Sequence, residues 1–405
     1  MERVQGRQGL PHLLSGLIAS CLAAAVLVSA EKIAVHLEQE TILSTAPELF
    51  SVKNQGLAFQ RAAARAASVL PFYGSSELTA VRVPERAHVF FRTAPTGFQV
   101  SPVGAGGMNS LIILQKIGAL GSDLRGKKVV ISLSPGWLLT PGAWWSEWYE
   151  GNFSLMAASE MAFGTSLDFE LKRDIASSML KFPSTLKNSP FLEFALKLLA
   201  SDRWLDRVLF CVVWPIGKAQ TSVLELQDHF AALNYIHLKI KPAPSRRLET
   251  LDWPKFIVGV GGTKTRDANR VTIASSLKEA ATSGRSDATF RNDMNASPGW
   301  NDLELLLRTL ARVHARPLVL SMPIPGDLYD QKGVSRSARE DYYIKLRTLV
   351  QSHHFPLVEF EGHDEDHAFL YLHKSHLTAK GWIYYDRALD DFFHGRLQRL
   401  ANHSS

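Results

Sequence analysis

The stretch Ala67–Leu78, ASVLPFYGSSEL, sets the fold. Its apolar run Val69-Leu70-Pro71-Phe72-Tyr73 predicts a buried strand, and the run stops at Gly74-Ser75-Ser76-Glu77-Leu78. Glycine permits a tight turn there that a side chain would strain. A serine between a strand end and a helix start exposes its hydroxyl at the carboxyl edge of a sheet, beside helix N–H groups that lack partners. Those amides would stabilise an oxyanion, so the position suits a nucleophile. Ser75 or Ser76 acting only as a helix cap is the other role open to this turn.

Working outward, 405 residues with 21% charged and 46% hydrophobic side chains can bury a sizeable core, as one large α/β domain or two smaller ones. The net charge of +6 fits work beside an anionic lipid or polymer. Lys and Arg form no long run, which disfavours nucleic acid. Two cysteines, Cys21 and Cys211, give neither a disulfide framework nor a cysteine zinc site.

Gly9–Ala30 carries no formal charge, and Leu13–Ala30 is nearly all apolar or small, the length of a membrane-spanning helix. Arg3 and Arg7 before it favour a cytoplasmic N-terminus, and a cleaved signal ending at Val28-Ser29-Ala30 is the alternative. Either way the remainder is exported. Residues 1–32 are thus the N-terminus and anchor, 33–66 a stalk, and 67–400 the main domain with a helical insertion at about 143–250.

Further along, Val100–Ser110 (VSPVGAGGMNS) reads as a glycine-rich loop feeding the helix LIILQKIGAL, able to cradle an anion with backbone amides. It lacks the lysine and spacing of a phosphate-binding loop. KKVVISL (127–133), ending in Ser134-Pro135-Gly136-Trp137, predicts a second buried strand, and Pro317–Pro323 another strand-to-loop passage. Residues 302–314 predict an amphipathic helix, and 255–290 loop-rich polar chain. Phe191–Ile216 is apolar enough to be core or a surface resting on a membrane or partner. In an open parallel sheet the small-residue loops at the strand ends converge on one crevice.

The C-terminal chemistry lies in 364–382, DEDHAFLYLHKSHLTAKGW. A loop histidine beside a helix start can serve as base to a serine when a carboxylate orients it. His363, His367, His373 and His376 with Asp364 and Asp366 also suggest a metal site, although no HExxH spacing is present.

GSSEL after a strand, the GAGGMNS loop, SPGW, LSMPIPGDLYD with GV and REDYY, and SHLTAKGW occur in the order seen in DltD proteins. The chain resembles that family over roughly Leu70–His394. The resemblance implies an SGNH-hydrolase-like α/β/α sandwich with a parallel sheet behind one N-terminal transmembrane helix. It implies Ser76 as nucleophile, His376 as its histidine, and the Ser76 amide with Gly106 and Gly107 as oxyanion donors. The aspartate usual three residues before the histidine is His373 here, which shifts the expected acid to Asp366 or, second, Asp364. No cofactor or metal is implied. The expected function is extracytoplasmic D-alanyl transfer to an anionic envelope polymer or glycolipid through a serine acyl-enzyme. The partners would be a membrane-bound O-acyltransferase and a D-alanyl carrier protein. A membrane-tethered adaptor without chemistry, and a plain esterase or thioesterase, are the competing expectations.

Overall fold

The structure, a computed structural model, describes residues 9–79, 82–142, 145–239, 248–261, 286–371 and 376–397. Among them, strands β1 (Val69–Gly74), β2 (Gln99–Gly104), β3 (Lys128–Leu133), β4 (Arg316–Ser321) and β5 (Leu357–Glu359) form one sheet ordered β2-β1-β3-β4-β5. Every pairing is parallel, with Val69 opposite Gln99, Tyr73 opposite Ile131 and Lys128 opposite Arg316. Parallel strands need crossovers, and the crossovers here carry helices. The helices used below are α1 (Gly9–Glu40), α2 (Ala58–Arg65), α3 (Ser110–Leu120), α4 (Trp204–Lys239), α5 (Gly299–Arg312), α6 (Arg336–Ser352) and α7 (Ala379–Phe393).

Strand alternation divides the core in two. Tyr73, Val103, Ile131 and Val319 face one layer with Leu114 of α3, Leu306 of α5 and Leu346 of α6. Leu70, Phe72, Val130 and Leu320 face the other, against Phe91 and against Trp382 and Leu389 of α7. With both sheet faces covered, the strands read as continuous apolar runs. Each fully buried Leu or Phe in such layers contributes about 1.5–3 kcal/mol.

The expected strands at 69–73, 127–133 and 317–321 form, as does the expected amphipathic helix, now Gly299–Arg312. The described chain between β3 and β4 is helical, and it includes α4 and α5. The supposed glycine-rich loop needs correction: Gln99–Gly104 is a fully buried strand, and only the residues after it form the loop. Pro102 hid it, yet β2 is an edge strand, where proline's missing N–H leaves a ladder bond unmade on the open side. The stalk needs correction too. Ala34, Ala46, Phe59 and Ala62 to Ala64 are buried, and α2 packs on β1 and α4, so 33–66 belongs to the packed body. In 191–216, Leu192, Ala195 and Leu196 are core, whereas Trp204, Val208, Val212 and Ile216 on α4 are exposed. Of the polar stretch expected at 255–290, residues 262–285 lie outside the described residues, and Trp253–Gly261 before them is helical.

Helix α1 covers the uncharged N-terminal run and leaves Leu17, Leu22 and Val26 more than 60% exposed. Among the described residues no helix is long and apolar enough to cross a membrane.

Candidate active site

The chain runs from β1 to β2 on one side of the sheet and returns to β3 on the other, which opens a crevice at the carboxyl ends of β1 and β3. Ser76 sits there, two residues beyond β1. It begins a 3₁₀ turn, Ser76–Leu78, rather than the longer helix expected, so the turn's own amides take the place of a helix dipole.

Two residues shape this turn. Glu77 folds back so that its Oε1 accepts the Ser75 N–H at 2.9 Å, and a Cβ on Gly74 would stand 2.3 Å from that oxygen. A side chain on Gly74 would therefore displace the Glu77 carboxylate from the Ser75 amide. The neighbouring strand comes equally close, since a Cβ on Gly104 would lie 2.6 Å from the Gly74 carbonyl. The two serines then separate. Ser75 is buried and its Oγ has no hydrogen-bond partner among the described residues, while Ser76 is half-exposed. Of the two serines, Ser76 turns its hydroxyl toward His376, and Ser75 turns its own into the packed interior.

His376 arrives from the far end of the chain. Its loop is pinned by the Tyr371 N–H donating to the His376 carbonyl at 2.8 Å, and by a β-bridge between Leu370 and Leu377. Two residues on, Thr378 caps α7, its Oγ1 accepting the Gly381 N–H at 3.3 Å. The result is His376 Nε2 at 3.0 Å from Ser76 Oγ, joining residues 300 apart in sequence. That distance suits proton transfer from a hydroxyl to an imidazole.

The loop after β2 supplies the other wall. Gly107 has φ +84°, and a Cβ there would lie 2.1 Å from the Trp148 ring, so only glycine fits under that indole. Asn152 Nδ2 donates to the Gly106 carbonyl at 3.0 Å and fixes the preceding peptide. Asn109 caps α3 by accepting the Ile112 N–H. With Gly74 opposite Gly104 in register, this glycine loop and the Ser76 turn are neighbours at one sheet edge.

The proposed acids have other contacts. Asp366 accepts from Lys380 Nζ at 2.7 Å and the Ala368 N–H at 3.1 Å, and pairs with His363 Nδ1 at 3.2 Å. Burial opposes its ionisation, but those donors outweigh burial and hold its carboxyl below the usual range. It thereby ties the loop to the first turn of α7. Asp364 lies 3.6 Å from Arg339 Nε, and position 373 lies outside the described residues. The histidine cluster resolves into carboxylate pairs, His363 with Asp366 and His367 with Asp327 at 2.6 Å. The grouping with metal-ligand geometry among the described residues is Glu31, Glu225 and His229, where α1 meets α4. There His229 Nδ1 is held by Glu38 at 2.7 Å, and Arg61 holds Glu225.

Glu77 was missed as a site residue. It is 1% exposed, and burial pushes its carboxyl up against the pull of the Ser75 N–H. Ser132 and Tyr385 share this buried space, and their hydroxyls stop short of hydrogen-bonding geometry. The signal was present: an acid set directly after the serine, between a buried strand and Leu78.

Residues 46–394 match the family described as DltD protein. The chain belongs to the DltD family. It is 27% identical to Protein DltD of Bacillus subtilis over 363 residues, 88% of this chain and 89% of that one. It is 24% identical to Protein DltD of Staphylococcus aureus over 335 residues (81% and 82%), and 24% to Protein DltD of Lacticaseibacillus rhamnosus over 341 (81% and 78%). DltD proteins are involved in the D-alanylation of teichoic acids. In this DltD chain the matched span contains the sheet, the Ser76 turn and the His376 loop.

Proposed function

We propose that this chain is an SGNH-type serine acyltransferase that moves a D-alanyl group to a hydroxyl of an envelope polymer or glycolipid. The observation that carries the reading is the 3.0 Å contact between Ser76 Oγ and His376 Nε2 at the carboxyl edge of the sheet. Ser76 Oγ attacks the carbonyl carbon of an activated D-alanyl ester or thioester while His376 takes its proton. The tetrahedral oxyanion lies toward the Ser76 turn and the Gly106–Gly107 loop, whose amides stabilise it. His376 then protonates the departing oxygen or sulfur, leaving D-alanyl-Ser76. An acceptor hydroxyl attacks that ester, His376 takes and returns one proton, and Ser76 is restored. The covalent route divides one difficult transfer into two easier steps.

The uncharged run 9–30 and the exposed apolar side chains of α1 support a single membrane anchor with the catalytic domain outside the cytoplasm. A membrane-bound O-acyltransferase and a D-alanyl carrier protein are the partners proposed on the donor side. Reaction with a serine-directed fluorophosphonate, followed by peptide mapping, tests the nucleophile. Modification of Ser76, lost in His376→Ala, is expected. An unlabelled Ser76, together with normal D-alanine ester content in cells carrying Ser76→Ala, would leave the adaptor role in its place.

A further inference from the structure

Where α1 meets α4, two helix faces bring four metal-binding side chains together. Glu31 and Glu38 lie two turns apart on one face of α1, and Glu225 and His229 lie one turn apart on one face of α4. The faces meet at a cavity of about 320 Å³ lined by these four residues with Lys32 and Arg61 among others. One ligand atom from each of Glu31, Glu225 and His229 lies within 4.8 Å of the other two. Zinc bonds to nitrogen and oxygen are about 2.0–2.2 Å long, so a bound ion asks these atoms to close by about an ångström. Both glutamates are only half-buried, which leaves their carboxylates room for that move.

His229 separates a metal site from a plain ion-pair network. Its side chain is 6% exposed, and the carboxylate of Glu38, itself 2% exposed, sits 2.7 Å from Nδ1. A carboxylate only accepts, so the ring proton belongs on Nδ1 and the neutral ring keeps its lone pair on Nε2. Among the described residues Nε2 has no hydrogen-bond partner. Buried polar atoms are nearly always bonded, and an imidazole held from behind by a carboxylate is the arrangement that metal-binding histidines use. Glu31 points the same way, since its carboxylate makes no hydrogen bond or ion pair among the described residues. Glu225 is held by Arg61, but Arg61 also lies 3.6 Å from Asp123, which pairs with Arg65 at 2.9 Å. Asp123 therefore still balances both arginines when Glu225 turns to an ion. Asp228 accepts the Leu57 and Ala58 N–H groups at 2.6 and 2.8 Å and fixes α4 to the body beside the site.

We propose that Glu31, Glu225 and His229 bind one divalent metal ion of the zinc type, with Glu38 orienting the imidazole, and that the ion clasps α1 to α4. A nitrogen donor beside two carboxylates suits zinc better than magnesium or calcium, which take oxygen ligands. Three protein ligands leave a fourth position for water. The site shares no residue with the Ser76 turn or the His376 loop, so it stands apart from the acyl-transfer reading. Its consequence is mechanical. Glu31 follows directly on the uncharged run 9–30, so the ion ties the helix carrying that run to the packed body.

The test is equilibrium dialysis of the purified, tag-free full chain, stripped with a chelator in neutral detergent, against zinc, magnesium and calcium. The wild type should hold a single zinc per chain. Glu38→Gln should weaken zinc binding by about tenfold or more, as loss of an outer carboxylate does. Glu31→Gln, which removes a direct ligand, should weaken it by at least as much. Because Glu31 has no other partner among the described residues, that variant should melt like the wild type without metal and lack the rise that zinc gives the wild type. Amide hydrogen exchange over residues 31–40 should slow with zinc in the wild type and stay unchanged in Glu31→Gln. Absent zinc binding, or equal zinc affinity in the wild type and Glu31→Gln, overturns the site, as does preference for magnesium or calcium. Glu31-dependent zinc binding that leaves exchange over 31–40 unchanged overturns the clasp.

Discussion

Ser76 and His376, the proposed nucleophile and its proposed base, are held in opposite ways. Ser76 belongs to a turn locked by its immediate neighbours, with Glu77 on the Ser75 amide and Gly74 pressed against that carboxylate. His376 belongs to a loop tied down at a distance, by the bonds between 369–371 and 376–378 and by the Asp366–Lys380 pair. The first hold is between adjacent residues, the second across a loop of about ten. Such a difference teaches where damage should appear. Lesions on the serine side should act through the backbone of the turn, and lesions on the histidine side through the aim of one ring.

The largest effect should come from cutting the contact between the two sides. Ser76→Ala and His376→Ala should each lower single-turnover acyl transfer by about 10³-fold or more, and the double variant should lose little further, because both serve one step. Additive losses in the double variant would mean that the two residues act in separate steps.

Next come the supports of the turn. Glu77→Met leaves the Ser75 N–H buried and unpaired, at a cost of about 1–3 kcal/mol. The rate of Ser76 labelling should fall by about tenfold or more, with the melting temperature lowered. Glu77→Gln, which keeps the acceptor oxygen and carries no charge, should restore the rate. A dead Glu77→Gln would show that the charge matters and the geometry does not.

The histidine side should respond more mildly. Because Asp366 is committed to Lys380, His363 and the Ala368 amide, Asp366→Asn and Lys380→Met should each cost about tenfold or less in acyl transfer, by loosening the loop. A drop of orders of magnitude in Asp366→Asn alone would make Asp366 the acid that orients His376.

The smallest effect is one of pH, and it separates the helix Ala87–Thr93, which follows the Ser76 turn in the chain, from the His376 loop. His88 is depressed from an ordinary 6.5 to about 3, so the stability it contributes is whole above pH 6.5 and declines as pH falls below that. The slope is at most about 1.4 kcal/mol per pH unit. Asp366 is lowered from 3.8, so its contribution is whole above that value and declines only below it. Unfolding free energies of the wild type, His88→Gln and Asp366→Asn should therefore diverge in different windows. The His88 difference should open between pH 6.5 and 4, and the Asp366 difference below about 4. Coincident windows would contradict the separation.

By itself the sequence determined the local elements: β1 with its glycine-serine turn, β3, β4 and α5, all fixed by apolar periodicity and by residues that stop it. It also brought Ser76 and His376 forward as a pair, through the order of five short motifs. Tertiary structure decided the rest. β2 was hidden by Pro102, whose tolerance depends on the strand lying at the sheet edge, a fact of strand order. That Ser75 is buried while Ser76 is half-exposed follows from packing, which no local pattern encodes. Asp366 sits near His376 in sequence, yet the packing of the loop on α7 gives it to Lys380. A cavity lined by Arg82, Arg86 and Arg92 gathers 47–49 with 79–92 because β1, β2 and the segments flanking them are brought side by side. Periodicity reports which face of an element is apolar. Which side chains meet across hundreds of residues is settled by parallel register and by the crossovers that the register imposes.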